Sequence, residues 1–571
     1  MTANRVLPWI VLPLAAILFL ARLQELPLID PDEGRNAEVA REMLATGSWL
    51  VPSYLGLPYL DKPALYFDTV ALSFAALGAN AFAARLPSVL FALGTLAMLH
   101  AFCRRTYGSR IATVSVAVVA TAPLFFIFAR MTILDMPLAF FTTGSILAGF
   151  LAEEDRLHRM RWSLLSAAGA AFATLVKGPV GFLVPLLVLL AWRAVLRRRG
   201  ALRRIFHLPA LALFLALTLP WFASLVSRHP DFAAYGLLEE TFRRYTDTAR
   251  FHRGGPFYYY VPVLFGVFFP WSLLLPEGIM RAWRARRRRL APADLLFVAW
   301  GTAVVLFFST SRSKLPGYVL TAVVALGPLT ARLIDPALRP GGGGGGGSGG
   351  PLRRASIALA VASGILAVLL LAEVLSPALL ERLFHLRSAE FARLRGSFAP
   401  LAILFALLAT GAATAAVLRR PRLALATFLL PPLLLLTLAF PTLARYASRG
   451  SSQALAEQVA PRAGGATVAV IEACPPGLPF YLGRPVVLVS EDGRESTSHY
   501  IPYFLARRDE WPAGAVRIDR LDTWLAGRED PVYLVCGKRG RERLSAIARQ
   551  RGDTLDLLLP GWWGARAGGG R

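Results

Sequence analysis

The sequence consists of long apolar runs separated by short polar gaps. Many runs reach the roughly 20 residues that an α-helix needs to cross the hydrocarbon core of a membrane. The pattern therefore predicts a polytopic α-helical membrane protein with about thirteen transmembrane helices. These are expected near residues 7–23, 84–103, 111–129, 132–152, 162–176, 180–196, 206–226, 259–279, 293–310, 315–333, 354–375, 398–418 and 422–441.

Arginine-rich polar gaps alternate with gaps that carry other polar motifs, and this alternation predicts the topology. Arginine clusters such as Arg197–Arg199 and Arg286–Arg289 occupy alternate gaps, and the positive-inside rule assigns such gaps to the cytoplasm. Because Arg5 precedes the first run, we expect the N-terminus inside. The long loop 24–83 and the C-terminus are then both outside.

Residues 64–79 form one apolar run that does not fit this order. The run is short and contains Asp68. Counting it as a crossing would move the next arginine-rich gap to the outer side and invert every later loop. We therefore predict an interfacial helix that lies at the outer membrane surface.

The chain divides into four predicted parts. Residues 1–335 form a membrane module that includes the external loop. Residues 336–353 form a flexible cytoplasmic linker, because Gly341–Gly350 is nearly all glycine. Residues 354–445 add three transmembrane helices, and residues 446–571 form a small α/β periplasmic domain. In this last part strands are expected at 466–472, 485–489, 532–536 and 554–559, and a helix at 540–551.

Composition supports the membrane assignment and excludes several other classes of protein. The chain is 55% hydrophobic and 17% charged, whereas soluble domains carry about 25% charged residues. This excludes a soluble enzyme, a disordered protein and a disulfide scaffold. The net charge of +26 is concentrated in the gaps, so we interpret it as a topology signal and predict no nucleic-acid binding. Of the three cysteines, Cys474 and Cys536 could form a disulfide if their domain is periplasmic.

Ionisable side chains gather at the outer ends of the predicted spans. In the first loop, Asp32, Glu33 and Arg35 lie within the segment DPDEGRNAEVAREM. Carboxylates this close repel one another, so one pKa should rise unless a cation lies nearby. Two interpretations stay open: a general base or electrostatic anchor beside a sugar, or helix capping by acidic residues.

Lysine usage supplies a second signal. Only four of the 62 basic residues are lysine, so the composition strongly favours arginine wherever either would serve. Three of the lysines fall at external span ends, in YLDKP, TLVKGP and SRSKLPGY. A compact ammonium suits a phosphate in a tight site. We therefore predict that Lys62, Lys177 and Lys314 bind an anion.

Two further outer positions are candidates. Asp135 lies at the start of the predicted span 132–152 and could orient a substrate or simply pair with Arg130. His252 and Asp61 could together hold a divalent cation, although two ligands are also compatible with an ordinary interfacial histidine.

These motifs resemble those of a known family. DPDEGRNAEVAREM, YLDKP, LDMPLAFF, LVKGP, HRGGPFYYYVP and SRSKLPGY follow one another over residues 5–335. In this order and spacing they are similar to the GT-C glycosyltransferases of the protein O-mannosyltransferase type. Within that family the likeness is greatest to the lipid A transferases of 4-amino-4-deoxy-L-arabinose. The resemblance implies a GT-C fold of thirteen transmembrane helices with a periplasmic domain.

The resemblance also implies an activity and a set of site residues. A sugar carried on undecaprenyl phosphate would be transferred to lipid A or another envelope glycolipid, at the periplasmic face of a bacterial inner membrane. Asp32 would be the key carboxylate, with Glu33 and Asp135 as further catalytic acids. Family members can bind a divalent ion, here through Asp61 and His252, although Asp61 stands where the family motif has Glu. The predicted donor-binding residues are Arg35, Tyr59, Lys62, Lys177, Arg253, Arg312, Lys314 and Tyr318.

Other functions are compatible with parts of the pattern. If the acceptor is a hydroxyl, Asp32 would remove its proton; if it is a lipid A phosphate, Asp32 would orient the acceptor or balance charge. The acceptor could instead be a protein, as in O-mannosyl transfer. A lipid or sugar flippase would need a polar path through the bilayer or an internal repeat, and the sequence shows neither. A non-catalytic assembly or sensor protein would not need the acid and lysine set.

Overall fold

The computed structural model describes residues 3–197, 207–236, 255–284, 290–311, 313–339, 350–376 and 395–567. The described part is mostly helical, with a small sheet domain at its C-terminal end. The first helices are α1 (Ala3–Leu20), α2 (Asp32–Thr46), α3 (Leu65–Leu77), α4 (Ala81–Tyr107), α5 (Ser109–Thr121), α6 (Pro123–Ala129), α7 (Asp135–Glu154), α8 (Arg159–Lys177), α9 (Val180–Val195), α10 (Leu208–Arg228) and α11 (Asp231–Ala234). Strands β1 (Ser53–Tyr54) and β2 (Leu57–Pro58) form a hairpin within the first loop.

The second half of the helical part is less regular. Its helices are α12 (Tyr260–Val267), α13 (Leu275–Arg284), α14 (Pro292–Thr310), α15 (Leu320–Leu338), α16 (Gly350–Leu375), α17 (Phe398–Val417), α18 (Pro421–Leu429), α19 (Pro431–Thr437) and α20 (Phe440–Arg449). Among the described residues, seven helices are long and apolar enough to cross a membrane, or nine if each of two bent pairs counts as one span. The expected number of thirteen is not reached by this criterion.

Proline explains several departures from the predicted spans. The predicted span 111–129 is a pair of helices, α5 and α6, that meet at 72°. Pro123 opens α6, and the extended conformation of Ala122 before it ends α5, because the proline ring disfavours a helical residue ahead of it. The predicted span 422–441 is also divided, into α18, α19 and α20, each of which has a proline at its first or second position, where the missing N–H has no helical partner to lose.

Helix α3 lies where the sequence predicts an interfacial helix. It contains 13 residues, which corresponds to a length of about 20 Å and is too short to cross the hydrocarbon core. Its buried face, which includes Tyr66, Phe67 and Phe74, packs on α2 and α4.

The C-terminal domain is a mixed six-stranded sheet with short helices. It contains α21 (Gln453–Ala463), β3 (Thr467–Ile471), α22 (Leu478–Leu482), β4 (Val486–Ser490), α23 (Tyr500–Leu505), β5 (Ala515–Arg517), α24 (Leu521–Ala526), β6 (Val532–Cys536), α25 (Arg541–Gln550), β7 (Asp556–Leu559) and β8 (Trp562–Ala567). The strand order is β5-β4-β3-β6-β8-β7, with β5, β4, β3 and β6 parallel. Four strands and α25 coincide with the predicted elements. Cys474 and Cys536 are both free thiols, so no disulfide joins them.

One apolar core joins the first loop to this sheet domain. It includes Ala37 and Met43 of α2, Phe67 of α3, and Val468 and Tyr533 of the sheet, all buried. Side chains that share a core form one packed unit. The sheet domain is therefore built onto the loop that carries the candidate acids.

A close backbone contact fixes the start of α2 on the sheet domain. A Cβ atom on Gly34 would lie 2.7 Å from the Cα atom of Gly477, so only glycine allows this approach. Beside it, the Asp30 N–H donates to the carbonyl of Gly450 at 2.7 Å, and the hydroxyl of Ser452 donates to Oδ2 of Asp30.

This junction predicts a pH dependence of stability. Burial, partly offset by the hydrogen bond from Ser452, raises the pKa of Asp30 from 3.8 to about 6. A raised pKa means that the folded state holds the proton more tightly, so stability is full below pH 4 and is lost as the pH rises to about 6. We expect wild type to lose on the order of 2 kcal/mol relative to Asp30→Asn between pH 4 and pH 7. Thermal unfolding in detergent measures this difference, with the exposed Asp509→Asn as control; a pH-independent difference would contradict it.

Candidate active site

A cavity of about 490 Å³ opens between the ends of several helices. Asp135 is the first residue of α7, Lys177 is the last residue of α8, and Lys62 follows strand β2. Tyr318, in the 3-10 turn that precedes α15, completes the polar part. The remaining walls are mainly apolar and include Leu183, Phe222 and Phe308. With Asp61, five of the predicted site residues thus line one space with an apolar extension.

Two of the lining residues, Asp135 and Lys177, form an ion pair. Nζ of Lys177 lies 2.8 Å from Oδ2 of Asp135, and each side chain is 15% exposed. The ammonium also lies 5.6 Å from the centre of the Tyr318 ring. Helix dipoles favour an acid at the N-terminus of α7 and a base at the C-terminus of α8. Arg130, the partner considered from sequence, instead donates to the carbonyls of Leu18 and Phe19.

Lys62 is held beside a buried carboxylate. Its ammonium donates to the backbone carbonyl of Asp61 at 2.6 Å. The Asp61 carboxylate accepts from the Tyr235 hydroxyl at 2.7 Å and from the Tyr500 N–H at 2.8 Å, both on Oδ1, and from the His499 N–H at 3.0 Å on Oδ2. Burial alone would raise the pKa of Asp61, but Lys62, His499 and the Tyr235 hydrogen bond outweigh it and lower this pKa. Asp61 is therefore an anion that anchors α23 of the sheet domain beside Lys62.

The hydrogen bonds of Asp61 bear on the predicted metal site, because a metal ion would bind the same carboxylate. Both of its oxygens accept hydrogen bonds from N–H or O–H donors, and the Lys62 ammonium lies beside the carboxylate. Within the described ranges, no group of three or more His, Cys, Asp or Glu side chains is arranged to hold a metal ion. Of the two predicted ligands, only Asp61 belongs to the part of the chain that the structure describes. The other predicted ligand, His252, lies outside the described residues, as do Arg253 and Arg312.

Asp32 lies at the surface beside this cavity rather than within its walls. It is 60% exposed and forms an ion pair of 2.7 Å with Arg35, which is largely buried. The other arm of Arg35 donates to the carbonyl and the hydroxyl of Thr497, both at 2.9 Å. Burial opposes ionisation of Arg35, yet Tyr59, Asp32 and Asp61 outweigh it and raise its pKa. Arg35 therefore forms an ion pair with the exposed Asp32 carboxylate and also interacts electrostatically with Asp61, which lines the cavity.

Tyr59 packs against Arg35 on the side that faces the protein core. It is buried, and the Arg35 guanidinium lies 5.8 Å from the centre of its ring. Its ring also contacts Tyr54 and Phe67 edge-on. Tyr59 thus holds Arg35 in place.

Glu33 faces away from Asp32 into the protein. It is fully buried and receives two hydrogen bonds of 2.8 Å from Arg85, with further bonds from the N–H groups of Thr132 and Ile29. Arg85 in turn donates to the carbonyls of residues 23, 26 and 27. A carboxylate with every oxygen engaged cannot reach a substrate, so the geometry favours a positioning role for Glu33 instead of the predicted catalytic one.

This buried pair predicts a large loss of stability. Arg85→Met leaves the Glu33 charge buried without its partner, which should cost about 3–5 kcal/mol. Thermal unfolding in detergent measures the effect. Arg517→Met serves as the matched control because its ion pair with Asp519 is exposed, and we expect a change below about 1 kcal/mol. Equal effects of the two substitutions would contradict the assignment.

Lys314 does not line this cavity, although the neighbouring Ser313 does. Its ammonium donates to the carbonyls of Ser309 at 2.9 Å and Ser311 at 2.7 Å, so it caps the C-terminal end of α14. Burial lowers its pKa. The structure therefore gives Lys314 a capping role, although the sequence predicts an anion ligand.

Sequence reasoning missed the residues that the sheet domain contributes. Thr497, His499 and Tyr500 hold Arg35 and Asp61 from more than 400 positions away. Nothing in the local sequence around residue 497 signals this role, because most of these contacts use backbone groups: the carbonyl of Thr497 accepts, and the N–H groups of His499 and Tyr500 donate.

Comparison with known proteins gives one consistent result. Residues 61–223 match the family model described as dolichyl-phosphate-mannose-protein mannosyltransferase. The chain is 30% identical over 365 residues to the undecaprenyl phosphate-alpha-4-amino-4-deoxy-L-arabinose arabinosyl transferase of Erwinia tasmaniensis, covering 63% of this chain and 64% of that protein. It is 31% identical over 355 residues to the transferase of the same name from Pseudomonas aeruginosa, covering 61% and 63%. The match thus spans somewhat less than two thirds of these relatives.

A solved structure matches over the whole length. The crystal structure of ArnT from Cupriavidus metallidurans bound to undecaprenyl phosphate aligns with a TM-score of 0.81 and 25% identity. The alignment covers 99% of this chain and 98% of that one. The same protein in the apo state aligns with a TM-score of 0.80.

Proposed function

We propose that this chain, an ArnT-like protein with the GT-C fold, is a membrane glycosyltransferase that moves 4-amino-4-deoxy-L-arabinose from undecaprenyl phosphate to lipid A. The observation that carries the proposal is the cavity in which Lys62, Asp135 and Lys177 meet beside an apolar extension. Such a space suits a phosphate attached to a long hydrocarbon chain. The names of the relatives and the bound molecule in the crystallised ArnT support the same donor.

The chemistry follows from the charge that develops during transfer. When the bond between the sugar and the donor phosphate breaks, undecaprenyl phosphate leaves with an additional negative charge. Fixed cations in an apolar site stabilise such a charge without having to reorganise. In our proposal Lys62 contacts the leaving phosphate, and Lys177, oriented by Asp135, adds positive charge on the other side.

Asp32 and Arg35 are assigned to the acceptor side. Asp32 is exposed and paired with Arg35, so its carboxylate could accept a proton from an acceptor hydroxyl. If the acceptor is a lipid A phosphate, no proton needs to be removed, and Arg35 with Asp32 would orient it. We assign no step to a metal ion.

The proposal includes a placement in the membrane. Thirteen crossings with the arginine-rich gaps in the cytoplasm would place Asp32, Lys62 and the sheet domain at the periplasmic face of the inner membrane. Both the sugar donor and the lipid A acceptor would then meet the cavity from the outer leaflet.

A reconstituted assay tests the function directly. Purified protein in proteoliposomes receives the undecaprenyl-phosphate-linked sugar and lipid A, and mass spectrometry follows both products. We expect lipid A to gain the sugar while undecaprenyl phosphate is released in equal amount. Movement of intact donor between leaflets without its cleavage would indicate a flippase, and transfer only to added protein would indicate a protein glycosyltransferase; either result would overturn the proposal.

A further inference from the structure

A second cavity, of about 930 Å³, lies at the opposite ends of the helices that build the candidate active site. Helix α7 begins at Asp135 in the first cavity and ends at Glu154 near the second, and α8 runs back from Arg159 to Lys177. A helix of 20 residues is about 30 Å long, which is the thickness of a hydrocarbon core. The two cavities therefore open towards opposite membrane surfaces.

The lining of this cavity has an apolar part and a basic part. The apolar part is formed by α8, α9 and α10, where the rings of Phe182 and Phe214 lie 5.9 Å apart, next to Leu189. The basic part is formed where α7 ends and α8 begins, by Arg156 and Arg159. A cavity of this size and division is typical of a site for an amphipathic ligand.

Two acids near the basic end form ion pairs with residues other than Arg156 and Arg159. Arg193 and Glu153, which also line the cavity, form an ion pair with each other. Asp155, at the end of α7, is paired with Arg105 at 2.9 Å. Among the described residues, Arg156 and Arg159 have no ion-pair partner. The mouth of the cavity therefore presents two exposed guanidinium groups that these ion pairs do not engage.

Neighbouring side chains indicate that this mouth faces lipid. Leu157 is 86% exposed and Met160 is 51% exposed, and each follows one of the two arginines. Large apolar side chains exposed among arginines are typical of the boundary between acyl chains and head groups.

We propose that this cavity binds an anionic phospholipid from the leaflet opposite the candidate active site. The head-group phosphate lies against Arg156 and Arg159, and one acyl chain enters between α9 and α10. Basic pockets between transmembrane helices bind anionic head groups by this combination of charge and apolar contact. The ligand chemistry differs from that of the first cavity, and the proposal does not depend on the sugar or the acceptor.

Native mass spectrometry of the full chain in detergent tests the proposal. The probes are phosphatidylglycerol, phosphatidylcholine with the same acyl chains, and glycerol 3-phosphate as a head group without acyl chains. The test variant is Arg156→Gln with Arg159→Gln. The control is Arg104→Gln with Arg422→Gln, which removes the same charge from two arginines that are exposed outside the cavity. A third variant, Ala167→Phe, fills the apolar part and keeps the charges.

We expect phosphatidylglycerol to bind wild type and the control at least 10-fold more tightly than phosphatidylcholine does. The double variant should lose about 30-fold in affinity, which corresponds to the contribution of two arginines near an anionic lipid. Ala167→Phe should weaken phosphatidylglycerol binding as well, and glycerol 3-phosphate should not compete. Equal binding by the test and control variants would overturn the proposal, as would competition by glycerol 3-phosphate or no preference between the two lipids.

Discussion

Replacing Lys177 with glutamine is expected to lower the rate of sugar transfer about 100- to 1,000-fold while the protein stays folded. Lys177 lies in the cavity, 2.8 Å from Asp135, and its charge would act where negative charge develops on the leaving phosphate. Removing one preorganised charge of this kind typically has an effect of that size. The rate of undecaprenyl phosphate release by purified protein measures it.

The partner of Lys177 sharpens this prediction. Asp135→Asn should reduce the rate by a similar factor, because the ammonium loses the group that orients it. The double variant should be little worse than either single one, since two residues that act as a unit are not additive. If the two losses multiply, the residues act independently and the proposed pair is wrong.

The second large effect is expected at Lys62. Lys62→Gln should weaken binding of undecaprenyl phosphate and lower kcat/KM for transfer about 100-fold or more, because the remaining amide cannot neutralise the phosphate. Lys538→Gln is the matched control: it removes an exposed lysine of the sheet domain, outside the cavity. Titration of the purified protein with undecaprenyl phosphate, followed by transfer rates, separates binding from turnover.

Two outcomes at Lys62 would contradict the account. A normal affinity for undecaprenyl phosphate would remove Lys62 from the donor site. An equal loss in the Lys538→Gln control would show that the measurement reports overall charge instead of a specific contact.

Local pattern was enough to predict much of the fold. Short continuous apolar runs predicted strands β3, β4 and β6, which are buried and rich in β-branched residues, and a further run at 554–559 predicted the less buried β7. Strands β5 and β8 were missed. β5 has only three residues, and β8 contains Gly564 and Arg566 among its aromatic residues, so neither shows a strong strand pattern.

The bundle was predicted less well than the sheet. Hydrophobicity alone does not distinguish one straight helix from two short ones that meet at an angle, as at Pro123. The bend depends on how each half packs, and packing is not visible in a single sequence.

The candidate site was predicted in part through lysine usage. In a chain so rich in arginine, the retained Lys62 and Lys177 marked the cavity, and both line it. The same argument also selected Lys314, which caps a helix. A lysine that is retained in an arginine-rich chain indicates that an ammonium group is required at that position. It does not show whether the ammonium binds a phosphate or the carbonyl groups at a helix end, since both accept hydrogen bonds from it.

The contacts of the acids could not be predicted locally. Glu33 and Asp32 are neighbours in sequence, yet one is buried against Arg85 and the other is exposed beside Arg35, because successive residues of a helix point in different directions. The partners of Asp61 are Tyr235, which directly follows α11, and residues of the sheet domain, so only the tertiary fold brings them together.

The most direct test of the account is mass spectrometry of lipid A from a strain that lacks this gene and receives it back. The strain would express wild type, Asp135→Asn or the control Lys538→Gln at equal levels. We predict that lipid A carries the aminoarabinose increment with wild type and the control, and loses it with Asp135→Asn. Lipid A that is unchanged by wild type, or that keeps the increment with Asp135→Asn, would contradict the assignment of this cavity as a lipid A glycosyltransferase site.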